Sequence, residues 1–317
     1  MLIYLANRVF HALLVLLAVS FIVFFIMYKA GDPVELLLPP DATQKQVEDL
    51  RAHLGLDRPF HVQYAAFLRN ALGGDVGRSY IYNQSALEVV LERLPATLEL
   101  ASAAMILAVA LGIPLGMLAS LRPRSWSSRF IMFFSLAGIS VPTFWTGMIL
   151  ILVFAVQTGL LPSSGRADVG LFGSFFTLQG LRYLILPAAT LCLFQLALVL
   201  RLTRSGMMEV LLQDYIKLAR AKGLPERAVL MVHALKNTLI PVITIIGIQF
   251  GELIAYTIVT ETIFAWPGTG KLIIDSIQNL DRPVVLAYLM TVAVIFVGIN
   301  LVVDVVYTFV DPRVRVH

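Results

Sequence analysis

Apolar residues in this chain mostly do not alternate with polar ones; they run. Six runs are long enough to cross a hydrocarbon layer, for which a helix needs about 20 residues. They are approximately Val9–Tyr28, Ala96–Ala119, Phe130–Val156, Leu184–Leu200, Thr238–Ile258 and Val284–Phe309. Backbone groups in lipid must bond within their own segment, so each run predicts a helix. The expected fold class is an all-α membrane protein with six transmembrane helices. The first run, at about 20 residues, exceeds the roughly 7–15 of a signal peptide. "MYKAGDP" follows it without an A-x-A-like site, so an uncleaved anchor is expected.

Between the first two spans the pattern changes to helical periodicity. Thr43 and Gln46 fit a capping box, Val47, Leu50 and Leu54 then share a face, and Gly55 can end the helix. Pro59 opens a second helix with Phe60, Tyr64, Phe67 and Leu68 along one side and Gly73 at its end. Ser85 and Glu88 fit another capping box, with a stop expected at Pro95. The division that follows is 1–28 for the first helix, 29–95 for a folded extracytoplasmic loop and 96–317 for a five-helix core. Short amphipathic helices need a surface. The loop either caps the membrane core or offers a docking face.

Charge sets the orientation. The chain is 317 residues long, 58% hydrophobic and 14% charged, with net charge +4. Arg122, Arg124 and Arg129 follow the second span, and Arg201, Arg204, Lys217, Arg220, Lys222, Arg227 and Lys236 follow the fourth. Arg313 and Arg315 lie in the tail. With six spans, all fall on one side, so the positive-inside rule predicts that both termini are cytoplasmic. The net charge is thereby a topology signal, and a basic face with stacking aromatics for nucleic acid is lacking. The single cysteine, Cys192, lies in an apolar run, and the five histidines are scattered, so no metal site is expected.

The connection between spans four and five reads "DYIKLARAKGLPERAVLMVHALKNTLIP" from Asp214 to Pro241. Leu211, Tyr215 and Leu218 are helically spaced, Gly223 suits a left-handed helix end, and Pro225 suits the first turn of a second helix. A helix, two-residue turn, helix hairpin over 210–236 is expected. Its tip gathers Ala219, Ala221 and Gly223 among Lys217, Arg220 and Lys222. Small residues there let another backbone approach closely.

This hairpin resembles the cytoplasmic loop by which permease subunits of bacterial ABC importers dock on their ATPase. Where the family pattern reads E-A-A-x-x-x-G, this chain has Lys217, Leu218, Ala219 and Gly223. "A-R-A-K-G-L" with "H-A-L-K-N-T-L-I-P" is similar to the variant of the dipeptide, oligopeptide and nickel branch. "LGLDRPFHVQY", "GGDVGRSY", "LPATLEL", "SVPTFWTGMILI" and "DPRVRV" agree along the chain. The resemblance implies a type I ABC importer permease in the inner membrane of a bacterium. Its cargo would be short peptides, with nickel complexes or glutathione-type solutes as alternatives. It implies docking of the ATPase by Asp214, Tyr215, Lys217, Ala219, Arg220, Ala221, Lys222 and Gly223. It also implies a second homologous permease in a heterodimer, two ATPase subunits and an extracytoplasmic solute-binding protein. ATP and Mg belong to those ATPases, with no cofactor and no catalytic residue in this chain.

"FAWPGTGKL" at 264–272 mimics the end of a phosphate-binding loop. A true one reads G-x-x-x-x-G-K-[ST], whereas Ala265 and Leu272 occupy the first and last positions here. The predicted topology also puts the stretch outside the cell. In the resembled branch E-x-I-F-x-W-P-G-x-G is an extracytoplasmic segment, matched by Glu261, Ile263, Phe264, Trp266, Pro267, Gly268 and Gly270. Physically, Trp266 suits the bilayer interface and Pro267–Gly268 a turn.

Polar residues inside spans are candidates for a translocation path. Gln249, Glu252 and Tyr256 share a face of span five, and Glu99 lies in span two. Asn300 and Asp304 share a face of span six. These groups either line an aqueous route or pair between helices. A proton-coupled secondary transporter using Glu252, Glu99 or Asp304 is the rival from another class. No inverted repeat of the kind such folds often carry is visible.

Overall fold

A computed structural model describes residues 2–39, 41–168, 170 and 173–310, without the side chains of 2–9, 12, 35, 36 and 304–310. The Asp304 side chain and the "DPRVRV" segment lie outside what is described. The helices are α1 (Leu2–Ala30), α2 (Val34–Leu37), α3 (Gln44–His53), α4 (Phe60–Leu72), α5 (Ala86–Leu121) and α6 (Trp126–Ser140). They continue with α7 (Thr143–Leu150), α8 (Leu178–Val210), α9 (Asp214–Ala221), α10 (Glu226–Ala228), α11 (Lys236–Ile263), α12 (Thr269–Gln278) and α13 (Arg282–Val310). Among the described residues no β-strand forms beyond one isolated bridge between Arg78 and Ser85. Five helices are long and apolar enough to cross a membrane, and α6 with α7 makes a sixth, broken span.

The chain forms two compact units, Met1–Thr97 with Pro267–Val297, and Leu98–Trp266 with Gly298–His317. In the first, the surface that the short helices needed is α1. Phe60 and Tyr64 of α4 pack edge-on against Phe21, with ring centroids 5.8 and 5.4 Å apart. The Ser20 and Tyr64 hydroxyls are 3.0 Å apart. The Thr43–Gln46 capping box is present. Gly55, at φ +68°, closes α3 with the Leu56 amide donating to the Arg51 carbonyl. Gly73 caps the end of α4 as expected, and the left-handed residue is Gly74 after it. Asp281 is fully buried and accepts from the Ser79 hydroxyl and from the Tyr80 and Ile81 amides. It thereby pins the "GGDVGRSY" segment. Arg51 pairs with Asp32, which also accepts from the Val34 amide at 3.0 Å. Partial burial raises the Asp32 carboxyl, but these bonds and the Arg51 and Arg282 charges outweigh it and hold it below its usual range.

Three expectations about breaks change. The helix starting after Ser85 does not stop at Pro95 but runs on as α5 to Leu121. Val90, Thr97 and Leu100 are fully buried around that proline, and their packing outweighs one missing backbone donor. The third span is not one helix: α6 and α7 meet at 105°. Val141 precedes Pro142 and is extended, at ψ 128°, as that position favours. α8 extends six residues before and ten after the expected Leu184–Leu200.

In the second unit, α5 approaches α8 through Gly112 and Gly116, a small-xxx-small pair. A Cβ on Gly116 would lie 2.6 Å from the Leu200 carbonyl and 2.8 Å from Thr203 Cβ. On Gly112 it would meet Val199 at 3.0 Å. Gly206 allows a similar approach to Thr238.

Gly116→Ala should destabilise the protein by about 1–3 kcal/mol through overpacking. Gly138→Ala on α6, where a Cβ meets only Leu193 at 3.8 Å, should be neutral or stabilising by up to about 1 kcal/mol. Thermal unfolding of both variants in detergent checks the contrast.

Candidate functional site

The hairpin is built on α8, α9 and the helix beginning at Glu226. α9 ends as expected: Gly223 adopts φ +77°, its amide donates to the Arg220 carbonyl at 2.9 Å, and the Leu224 amide donates to Ala219. Four residues rather than two separate α9 from α10, and Pro225 sits just before that helix as its N-cap. Leu211 caps the end of α8, so it does not share a helix with Tyr215 and Leu218. From Val229 to Leu235 the backbone is π-helical and then continues as α11.

Side chains at the tip divide into two sets. Ala219 is buried with Met207, Ile216, Val229 and Ala234. It anchors α9 and is not part of an exposed small-residue surface. The period places Ala219 three residues after Ile216, and that spacing is the signal that identifies it as core. Asp214, Tyr215, Lys217, Arg220, Ala221, Lys222 and Gly223 are exposed. Lys217 pairs with Asp214 at 2.8 Å. Arg220 grips Glu226 through two hydrogen bonds, of 3.1 and 2.7 Å, which hold the Glu226 carboxyl below its usual range. The Asn237 amide donates to the Tyr215 hydroxyl at 2.8 Å and ties α9 to α11.

On α11, the Gln249 amide donates to Glu252 at 3.1 Å and Tyr256 is 62% exposed. Tyr256, Leu253 and Val259 form one wall of a cleft of about 270 Å³. Leu191, Phe194 and Gln195 of α8 form the other, and Thr143 closes it beside the α6–α7 break. Gln195 is 1% exposed, and neither atom of its amide meets a hydrogen-bond partner among the described residues. The sequence reading passed over Gln195, although it is a polar side chain halfway along a span.

Glu99 lies apart from this cleft's lining and is fully buried. It accepts from Arg166 at 2.7 Å and from the Ser174 amide at 2.9 Å. Its carboxylate thus ties the Arg166 side chain to the backbone at Ser174. The Arg166 guanidinium also lies over the Trp266 ring, 5.9 Å from its centroid. Trp266 is fully buried, so its ring packs against protein. The turn precedes Pro267: Ala265 takes φ 46° and the Trp266 amide donates to the Glu261 carbonyl at 2.8 Å. Pro267 is exposed, while Gly268 caps α12 and Gly270 lies in its first turn. α12 itself was not foreseen; Leu272, Ile273 and Ser276 on its buried face carry the signal.

Two family models match the chain. "Binding-protein-dependent transport system inner membrane component" covers residues 112–316, and its N-terminal companion covers 1–101. The chain belongs to this family. The permease is 37% identical to a dipeptide transport system permease protein of Alkalihalophilus pseudofirmus, over 99% of this chain and 100% of that one. It is 42% identical to a di/tripeptide transport system permease protein of Pseudomonas aeruginosa, over 90% of each. It is 40% identical to an oligopeptide transport system permease protein of Bacillus subtilis, over 98% and 99%. Among solved structures, an inward-facing MetNI methionine ABC transporter chain matches with TM-score 0.54 at 16% identity, over 70% of this permease and 96% of that chain. That likeness bears on the fold, which is that of a type I ABC importer permease. The permease is accordingly a multi-pass inner-membrane protein.

Removing one partner of a buried ion pair leaves a charge uncompensated. Arg166→Met should therefore destabilise the permease by about 3–5 kcal/mol. Adding Glu99→Gln should restore part of that loss. Thermal unfolding of the two single variants and the double variant measures both effects.

Proposed function

We propose that the permease forms one half of the pore of an ATP-driven importer of short peptides. The observation that carries this reading is the match, along nearly whole lengths, to relatives named for dipeptide, di/tripeptide and oligopeptide transport. A second, non-identical permease completes the pore, and a solute-binding protein delivers cargo from outside. Two ATPase subunits bind on the cytoplasmic side. ATP and Mg²⁺ reside on those subunits; this chain contributes no catalytic group and no cofactor site. Both termini are cytoplasmic, following the bias of Lys and Arg. Lipid covers exposed apolar faces such as Phe10, Leu13 and Ile22 of α1.

In this orientation the hairpin meets the ATPase through Asp214, Tyr215, Lys217, Arg220, Ala221, Lys222 and Gly223. Ala219 acts from beneath, through its place in the buried cluster. That cluster joins α9 to the end of α8 and to the π-helical segment. Closure of the ATPases therefore moves α8 and α11 together and biases a two-state pore, because a ligand shifts an equilibrium only through contacts that differ between states. Gln249, Glu252 and Tyr256 face the path, whereas Glu99 holds a loop.

Reconstitution in proteoliposomes with the second permease, the ATPases and the binding protein should give ATP-dependent uptake of a labelled dipeptide. Uptake by this chain alone, driven by a proton gradient, overturns the reading. Gly223→Pro removes a bonded amide and forbids φ +77°. It should abolish ATP-driven uptake while the chain still inserts in the membrane; normal uptake would count against the docking role.

A further inference from the structure

The cleft between α8 and α11 is a mostly apolar chamber with one buried amide at its wall. The Gln195 side chain is 1% exposed, and both its amide atoms are without a partner among the described residues. A buried primary amide presents donors and an acceptor side by side. Groups left unmade in this way are costly, so buried amides are nearly always satisfied by something. Around Gln195 the walls are Leu191, Phe194, Leu253 and Val259. They supply apolar contact and no competing hydrogen bond from their side chains. Tyr256, 62% exposed, and Thr143 bring the remaining hydroxyls to the lining. The volume, about 270 Å³, falls just below the roughly 300–1,000 Å³ of a site for a whole drug-sized ligand. It suits one side chain with the polar group next to it.

We propose that this cleft is a cargo subsite. It takes an apolar side chain of the transported peptide, and Gln195 reads the adjoining peptide group, with Nε2 donating to the carbonyl and Oε1 accepting from the amide N–H. The inference rests on the importer reading above and adds to it the atoms that recognise a peptide bond. Such a subsite is weak by design, because a pore must release what it binds. The complementarity of a side-chain amide to a peptide group explains why a glutamine lies at this depth where a leucine would pack better.

The test uses the full reconstituted transporter. Uptake of labelled alanyl-phenylalanine is compared with that of its ester analogue, in which an oxygen replaces the peptide N–H. Discrimination by the binding protein is common to all variants, so the change in the ratio isolates this permease. Gln195→Leu should narrow the peptide-to-ester ratio by about tenfold, the worth of one hydrogen bond. The unfolding temperature of the variant should be unchanged or higher, since an unpartnered amide has been replaced by an apolar group. Val259→Trp, which fills the rim, should reduce uptake of alanyl-phenylalanine by at least tenfold more than that of alanyl-alanine.

An unchanged ratio in Gln195→Leu, with peptide uptake intact, overturns the subsite while leaving the importer reading standing. A lower unfolding temperature makes Gln195 a core residue, and loss of the second permease on purification makes it an interface residue; either overturns the subsite. Failure of the wild-type transporter to import any peptide overturns both readings.

Discussion

The close approach of α5 to α8 is the constraint on which the second unit depends. Lipid tails are as apolar as leucine side chains, so two helices in a membrane gain little from apolar burial alone and need fit. Gly112 and Gly116 supply it by letting the α8 backbone come within reach of where a Cβ would stand. α8 then becomes the scaffold for the rest: Gly206 receives Thr238 of α11, Met207 starts the core of the hairpin, and Gln195 walls the cleft.

A second consequence concerns rigidity at the hairpin. Its exposed charges are already paired within the chain, Lys217 with Asp214 and Arg220 with Glu226. Exposed pairs of this kind contribute little stability. Their effect is geometric: they fix which surfaces remain free, with Lys222 and Arg227 exposed beside them. Beneath them, the apolar cluster with Ala219 holds α9 against the end of α8 and the π-helical segment. Charge pairing at the surface and packing beneath it therefore serve different ends.

Much of the architecture was legible in the linear pattern. Span positions follow from apolar runs, the Thr43 capping box from its spacing, and the left-handed Gly223 from the absence of a Cβ. Each of these depends on neighbours within a few residues. What escaped depends on residues far away. The surroundings of Trp266 include Arg166, one hundred positions earlier, whose guanidinium lies over its ring. The partner of Glu99 is hidden in the linear pattern in the same way, since it is the same arginine. Pro95 looks like a stop because propensity omits the burial that carries α5 through it. Pro142 was visible as a dipeptide signal, but in a run of apolar residues the length of the run concealed it. Ala219 shows the same limit on a smaller scale, since small residues suit both an exposed contact and a crowded core.

The helix from Glu226 to Ile263 passes without interruption from the hairpin, through the π-helical stretch, to the wall of the cleft. At about 1.5 Å per residue, its 38 residues make a rod on the order of 55 Å long. A tilt of about 5° around its middle displaces each end by roughly 2 Å, in opposite directions. The rod is therefore a lever with the fulcrum inside the membrane, where Gly247 lets it bear on Val303 of α13. The cleft residues Leu253, Tyr256 and Val259 stand closer to that fulcrum than Glu226 does, so a push at the hairpin arrives at the cleft reversed in sign and reduced to about half.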